Sequence, residues 1–227
     1  DVVLLVTKLH RLANELCNII GGRTTHPIRT AINGFTKFPT PKELKELKKR
    51  LVESVDDLKK LVDVVKTVAG GLPNFERETE YVSLVDPNEY AFYDKDIKSS
   101  DVKDSISVDE YERVTNEYVV PQSTAKWTKF NRKSYFAGAL ARYNNNYTQL
   151  TELSRAVGAS LGLDGVSYNP FMNNVAQIVE CVFAVERSIA IIDWLLDQGI
   201  KDEEPVFERK AGRGVGAVEV PRGILFH

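Results

Sequence analysis

Two short segments near opposite ends of the sequence concentrate the residue types that chemistry needs. The first is Gly21-Gly22-Arg23-Thr24-Thr25-His26-Pro27, and the second is Val218-Glu219-Val220-Pro221-Arg222-Gly223. A loop that holds an arginine, a histidine and a proline is costly to order, so we expect it to position something. In the second segment, Pro221 stiffens the backbone beside Arg222, whose guanidinium is permanently charged. We therefore single out both segments as candidate functional segments.

Residue types that bind metals are sparse elsewhere. The two cysteines, Cys17 and Cys181, are far apart in sequence and neither belongs to a CxxC pair, so no metal site or disulfide framework is visible. His10 precedes Cys17 by two helical turns, which is too far for both to bind one ion. The glycines at 212–216 lack the dinucleotide-binding pattern and indicate a turn instead. The sequence thus predicts no metal ligands.

Composition restricts the class of protein. A chain of 227 residues with 43% hydrophobic residues predicts one compact domain over 1–227. The 30 Lys and Arg residues nearly balance the 32 Asp and Glu residues, so the charge predicts no nucleic-acid partner. Charges interrupt the longest apolar stretch, Phe171 to Leu196, which therefore indicates a buried helix and no membrane span. Sparse cysteines and the lack of a visible signal peptide favour a cytoplasmic protein.

Apolar spacing predicts long helices. Leucines and isoleucines recur every three or four residues from Val2 to Ile20, and two glycines end that pattern. Thr40, Pro41 and Glu43 form a helix-start signal, and an apolar stripe follows for about 28 residues up to Gly70. Further predicted helices are Val108–Asn116, Tyr147–Ser160 and Asn169–Gln198.

Short β-rich runs complete the expected fold. Tyr81–Val85 and Tyr90–Tyr93 predict a small antiparallel sheet, and Pro205–Lys210 and Gly216–Val220 predict two strands joined by a glycine-rich turn. The stretch Pro121–Asn146 gives no clear assignment. We predict an α+β fold that is mainly α-helical, a long-helix bundle with a small antiparallel sheet.

The two chemistry-bearing segments, in this order, resemble the large (alpha) subunit of nickel-iron hydrogenases. Gly21–Pro27 is similar to the family's glycine-glycine-arginine loop ending in His-Pro, and Glu219–Gly223 to its Glu-x-Pro-Arg-Gly element. The resemblance spans essentially the whole chain. It also rests on the segments Gly34–Pro39, Tyr81–Pro87, Ser123–Lys126, Gly138–Asn144 and Ile224–His227, some of which look like the cytoplasmic, cofactor-coupled branch.

The resemblance implies a fold, an activity and partners. It implies a hydrogenase large-subunit-like fold and reversible dihydrogen oxidation at a Ni-Fe(CN)2(CO) centre. Electrons would pass to an iron-sulfur small subunit and on to further electron-transfer subunits. Arg222 and Pro221 would lie beside the metal centre, with Glu219 and Gly223 as structural support. Arginine stays protonated, so an electrostatic role for Arg222 is favoured over a role as base.

The first segment would face the small subunit. His26 resembles the histidine that faces the nearest iron-sulfur cluster, where a hydrogen bond to sulfur tunes the reduction potential. A loop-bracing hydrogen bond is the alternative role. Gly21, Gly22 and Arg23 would shape the same interface. We expect Arg222 and the Gly21–Pro27 loop to converge in space.

The chain departs from the family in its cysteines. The family binds nickel and iron through four thiolates from two CxxC motifs, and neither motif occurs here. Because the chain begins without methionine and stops after an apolar run, we interpret it as a central fragment. Because the ligand cysteines are absent, we expect this fragment to be inactive and without cofactor by itself. Two alternatives remain: the quinone-site subunit of a complex I-like dehydrogenase, and a metal-free scaffold of the same fold.

Overall fold

The computed structural model describes residues 2–32, 34–201, 208 and 210–227. The chain forms two compact units. The first unit comprises Asp1–Val68 with Cys181–Ala211, and the second comprises Ala69–Glu180 with Gly212–His227. The single domain expected over 1–227 stays a prediction.

Long helices build the first unit. They are α1 (Val2–Gly21), α2 (Pro41–Ala69) and the second part of a helix that we number α5 (Asn173–Gln198). All three confirm predicted helices. Their buried apolar side chains form one core, whose members are Leu12, Leu44, Leu47, Leu51 and Ile192. Between α1 and α2, the short strands β1 (Thr30–Ala31) and β2 (Gly34–Phe35) pair antiparallel.

The predicted helix-start signal is formed at α2. The Thr40 hydroxyl accepts a hydrogen bond from the Glu43 backbone N–H at 3.2 Å, and the Glu43 carboxylate accepts one from the Thr40 N–H at 2.7 Å. These reciprocal bonds satisfy donors that a helix leaves unpaired at its start. They lower the pKa of the Glu43 carboxyl, chiefly through the backbone hydrogen bond from Thr40.

A three-stranded sheet forms the centre of the second unit. Strand β3 (Glu80–Val85) pairs antiparallel with β4 (Asp96–Ser99) and parallel with β5 (Tyr135–Phe136). The small antiparallel sheet is thus present, with β5 added in parallel. The strand predicted at Tyr90–Tyr93 is wrong, because only Tyr93 makes an isolated bridge there. The Tyr90 side chain is buried and donates to Glu180, so its β-favouring residue type serves the interior instead of a strand ladder.

Shorter helices complete this unit. A 3-10 helix covers Val108–Arg113, and α3 (Ala139–Asn146) lies in the stretch that the sequence left unassigned. The helix predicted from Tyr147 to Ser160 is wrong in its first part. It is broken at Leu150, which has an extended backbone, and α4 (Glu152–Ser160) begins only after the Thr151 N-cap. The described residues include no helix apolar enough over sufficient length to cross a membrane.

A β-hairpin ends the second unit. Strand β6 (Ala217–Val220) confirms the strand predicted at Gly216–Val220, and it pairs antiparallel with β7 (Gly223–Phe226). The partner strand expected at Pro205–Lys210 lies mostly outside the described residues. Because Val220 pairs with Gly223, the loop between the strands has two residues, Pro221 and Arg222. Arg222 therefore lies at the tip of a tight turn.

Candidate functional site

The Pro221–Arg222 turn presents a cation to its surroundings. Both residues are exposed. Arg222 forms no hydrogen bond or ion pair with any residue that the structure describes. Neither turn residue has a positive φ, whereas the turns favoured in two-residue hairpins require one. The turn therefore depends on support from neighbouring elements.

A buried arginine supplies part of that support. Arg142 on α3 is only 2% exposed. Its Nη1 donates to Glu219 Oε2 at 2.9 Å and to the Val220 carbonyl oxygen at 2.9 Å. Its Nε and Nη2 donate to the two carboxylate oxygens of Glu180, at 2.6 and 2.7 Å. One guanidinium thus joins the end of β6 to the first half of α5.

Two further hydrogen bonds complete this cluster. Glu219 Oε1 accepts from the Leu84 backbone N–H on β3 at 2.7 Å. The Tyr90 hydroxyl donates to Glu180 Oε1 at 2.8 Å. We call Arg142, Glu180, Glu219 and Tyr90 the Arg142 cluster. It includes three charged groups, and desolvating them is costly unless each is paired as it is here.

Burial shifts the pKa values of the groups in the Arg142 cluster. It raises the pKa of Glu219 to about 6, because desolvation outweighs the hydrogen bond from Leu84 and the charge of Arg142. Burial acts to lower the pKa of Arg142, yet the hydrogen bonds and charges of the two carboxylates raise it above its ordinary value. The pKa of Tyr90 is raised well above 10 by burial and by Glu180. Arg142 and Tyr90 therefore stay protonated and act as donors.

Two glycines allow other backbone to approach the turn. A Cβ atom on Gly138, just before α3, would lie 3.3 Å from the Pro221 carbonyl oxygen and 3.4 Å from that of Arg222. One on Gly223 would lie 3.2 Å from Ala137 Cβ. Gly138 also has a φ of +92°, which other residues rarely adopt. The residues before α3 thus support the back of the turn.

The first predicted segment is an ordered loop that ends α1. The Gly21 carbonyl accepts from the backbone N–H groups of Ile28, at 2.9 Å, and Arg29, at 3.2 Å. Arg29 also donates to the Ile19 carbonyl. Gly22 and His26 have φ values of +82° and +57°. A positive φ is costly for histidine, and such strain often marks functional positions.

The predicted site residues fall into two groups. Glu219, Pro221, Arg222 and Gly223 lie together in the hairpin, whereas Gly21, Gly22, Arg23 and His26 lie in the loop of the other unit. Arg23 and His26 are both exposed. The convergence of Arg222 with the loop stays a prediction.

Sequence reasoning missed Arg142, Glu180, Tyr90 and Gly138 as parts of the site. One available signal was Arg142 itself, which follows Ala139-Leu140-Ala141 and precedes Tyr143 in an apolar stretch. A charged residue among buried neighbours requires a partner of opposite charge. The sequence gives no indication that the partners are 38 and 77 positions away.

The described residues do not fit a nickel-iron centre. Cys17 and Cys181 are both exposed and are not joined in a disulfide. Across residues 2–32, 34–201, 208 and 210–227, no three His, Cys, Asp or Glu side chains are grouped so that they could hold a metal ion. The four thiolates that the resemblance implies for such a centre are therefore not supplied by this part of the chain.

The chain is similar in sequence to hydrogenase subunits. It is 32% identical to sulfhydrogenase 1 subunit alpha of Pyrococcus furiosus, over 98% of this chain and 52% of the relative. Sulfhydrogenase 2 subunit alpha of the same organism is 26% identical, over 94% of this chain and 49% of the relative. No protein-family model matches the chain. The chain thus spans about half the length of these curated relatives.

Solved structures agree in fold. An NAD+-reducing NiFe-hydrogenase in the H2-reduced state matches 100% of this chain and 55% of its own, with a TM-score of 0.85 and 20% identity. A NiFeSe-hydrogenase of Dm. baculatum matches 99% and 54%, with a TM-score of 0.70 and 17% identity. The chain is therefore a relative of hydrogenase alpha subunits, and over its whole length it has the fold of about half of the nickel-iron hydrogenase large subunit.

Proposed function

We propose that this chain is a section of the catalytic large subunit of a nickel-iron hydrogenase, which oxidises dihydrogen reversibly and passes electrons to an iron-sulfur small subunit. The observation that carries the proposal is Arg222. It lies exposed at the tip of a two-residue turn and pairs with no described residue, while its backbone is supported from behind. A guanidinium whose backbone is held in place, and which is itself left without a partner, is available to a reacting group.

The chemistry of dihydrogen explains why a fixed cation is useful. Dihydrogen has neither charge nor a polar group, and its heterolytic splitting separates charge. A preorganised cation stabilises developing negative charge without the cost of reorganisation. Arg222 would act through its charge and its planar donors, because arginine stays protonated at any ordinary pH. Cysteine ligands for nickel and iron would come from other parts of the complete subunit.

The exposed loop supports a role in subunit contact. Arg23 and His26 are exposed, and the backbone at His26 is held at a positive φ by a hydrogen-bonded loop. Such strain persists where the surrounding structure and a function require it. We infer that Gly21, Gly22, Arg23 and His26 face the iron-sulfur small subunit. We also infer a cytoplasmic complex with further electron-transfer subunits.

The test uses the complete large subunit, co-produced with its small subunit. Arg222→Lys should leave nickel content near that of the parent but reduce hydrogen uptake about 100-fold, the loss typical of one removed preorganised donor. Arg213→Lys is the matched control. Arg213 is an exposed arginine of the same unit that pairs with Glu112 at 3.0 Å, so its replacement should leave turnover unchanged.

One result would decide against the proposed activity, and two others would decide against the proposed role of Arg222. A complete protein without nickel and without hydrogen uptake would favour the quinone-site subunit or a metal-free scaffold. Equal turnover in the parent and Arg222→Lys would show that Arg222 is structural. A nickel content that falls as far as turnover in Arg222→Lys would mean that the residue serves assembly.

A further inference from the structure

The Arg142 cluster is attached to the two residues that immediately precede the Pro221–Arg222 turn. A single nitrogen, Arg142 Nη1, donates both to the Glu219 carboxylate and to the Val220 carbonyl. The other carboxylate oxygen of Glu219 accepts a hydrogen bond from the Leu84 backbone N–H. The last two residues of β6 are therefore fixed to α3 and β3 by side-chain bonds in addition to the strand pairing.

The turn has a specific need for such bonds. Without a positive φ at either turn residue, a two-residue hairpin tends to splay its strands. Gly138 lies against the backbone of the turn, and a side chain there would require the turn to shift by a few tenths of an ångström. The Arg142 cluster holds the same segment at Glu219 and Val220. These contacts restrict the turn from two directions and leave the Arg222 side chain exposed.

Energetics favour a geometric role over a purely stabilising one. Buried ion clusters often contribute little net stability, because desolvation of the charges offsets their attraction. They do restrict geometry, since each charge must remain close to its partner. Arg142 makes two parallel hydrogen bonds to Glu180. These bonds fix its guanidinium plane independently of its contacts with β6.

We propose that Arg142, held by Glu180 and paired with Glu219, is a positioning residue that fixes the Pro221–Arg222 turn and so places the Arg222 guanidinium. This inference rests on the proposed function insofar as Arg222 serves catalysis. Arg142 itself is 2% exposed, and its guanidinium donates to protein groups of β6 and α5. Its effect on the reaction is transmitted through the backbone of residues 219–222.

The second unit contains a matched control. Glu80 is fully buried, and it accepts hydrogen bonds from the Ser99 hydroxyl at 2.6 Å, Asn131 Nδ2 at 2.8 Å and the Arg132 backbone N–H at 2.9 Å. None of these described partners belongs to the hairpin. Glu80→Gln therefore alters a buried carboxylate of the same unit without changing a contact of the turn.

The experiment compares Glu219→Gln, Arg142→Lys and Glu80→Gln in the complete large subunit with its partner. The first two each lose at least one charged hydrogen bond, because glutamine presents a donor where an acceptor is needed and lysine lacks the planar fork. Amide hydrogen exchange should accelerate about tenfold across residues 222–226, the factor expected for such a loss. Glu80→Gln should accelerate exchange near residues 131–132 instead.

Kinetics provide the second readout. In Glu219→Gln and Arg142→Lys, we expect kcat to fall while the KM for dihydrogen stays near that of the parent, since a displaced Arg222 affects the reacting state. Thermal denaturation identifies any variant that fails to fold. If either Glu219→Gln or Arg142→Lys fails to fold, the other of the two is used for the test. Glu80→Gln with equal loss of thermal stability should keep its kcat.

The outcomes separate this inference from the proposed function. Unchanged hairpin exchange in both cluster variants would overturn the inference at any level of activity. So would an equal effect of Glu80→Gln on the hairpin. The cluster variants could show accelerated exchange confined to the hairpin while the complete parent protein takes up no hydrogen. That result would support the positioning of the turn and count against the proposed function.

Discussion

The α-carbon of Gly138 faces the backbone of Pro221 so closely that an added Cβ would lie 3.3 Å from the Pro221 carbonyl oxygen. Gly138→Ala must therefore displace the turn, and it must also hold alanine at a φ of +92°. We expect a loss of about 1–3 kcal/mol in the free energy of unfolding from backbone strain. Under the proposed function, hydrogen uptake by the complete protein should fall as well, because Arg222 moves with the turn. Denaturant titration and dye-linked hydrogen uptake measure the two effects.

Gly162→Ala is the control for backbone strain. Gly162 has a similar φ of +83°, but a Cβ there would meet no atom within 4 Å. It should lower the stability of the protein by a comparable strain energy and leave turnover per folded molecule unchanged. Equal turnover in Gly138→Ala would show that the contact with Pro221 does not affect the site.

A pH dependence follows from Glu219. Because burial raises its pKa to about 6, the folded chain binds this proton more tightly than the unfolded chain does. The stability from this group is fully present below the ordinary pKa of 4.5 and is lost as pH rises through about 6. A rise of that size corresponds to about 2 kcal/mol.

The measurement is a comparison between the parent and Glu219→Gln. Other carboxyl groups, such as Asp57 and Asp86, have lowered pKa values and destabilise the fold at acid pH in both proteins alike. The difference in unfolding free energy between the parent and Glu219→Gln should therefore report the contribution of Glu219 alone. As the pH falls from 7.5 to 4.5, this difference should change by about 2 kcal/mol in favour of the parent. A difference that is constant over this range, or that changes the opposite way, would mean that Glu219 is not protonated near pH 6.

Local signals in the sequence were sufficient to predict much of the fold. The starts and lengths of α1, α2 and α5 follow from apolar spacing and from the Thr40 cap, because each depends on residues within a few turns. Strand β4 and helix α3 were not predicted. Residues 96–99 and 139–146 are placed by contacts with β3 that are distant in sequence, and such contacts override local propensity.

The candidate site also has a part that the sequence predicts and a part that it does not. Pro221, Arg222, Glu219 and Gly223 stand in one motif, so their proximity was predictable. The hairpin that exposes Arg222 was not, since the strand partner was expected upstream at Pro205–Lys210. The Arg142 cluster joins residues 90, 142, 180 and 219 and is bonded to the backbone of residue 84, and a single sequence carries no local pattern that relates them.

The cap of α2 provides a prediction about stability alone. Thr40→Ala removes the hydroxyl that accepts from the Glu43 N–H, and it should lower the free energy of unfolding by about 1 kcal/mol. Thr7→Ala is the matched control, because the Thr7 hydroxyl only donates to the Val3 carbonyl within an exposed turn of α1. That change should stay within about 0.5 kcal/mol of the parent. Chemical denaturation would detect the difference, and equal effects at both positions would contradict a formed cap.

The strained backbone at His26 predicts a separation of stability from function. Glycine adopts a φ of +57° readily, so His26→Gly should leave the free energy of unfolding unchanged or raise it by up to about 1 kcal/mol, because relief of strain is opposed by glycine's greater freedom when unfolded. If the loop faces the small subunit, the same change should slow electron transfer from dihydrogen to an external acceptor. His10→Gly is the opposite control. His10 is exposed within α1 and lies outside the Gly21–Pro27 loop, and glycine in a helix interior costs about 1 kcal/mol. Denaturation of the chain and acceptor-linked hydrogen uptake by the complete complex measure the two effects. A destabilised His26→Gly with full activity would show that the histidine only braces its loop.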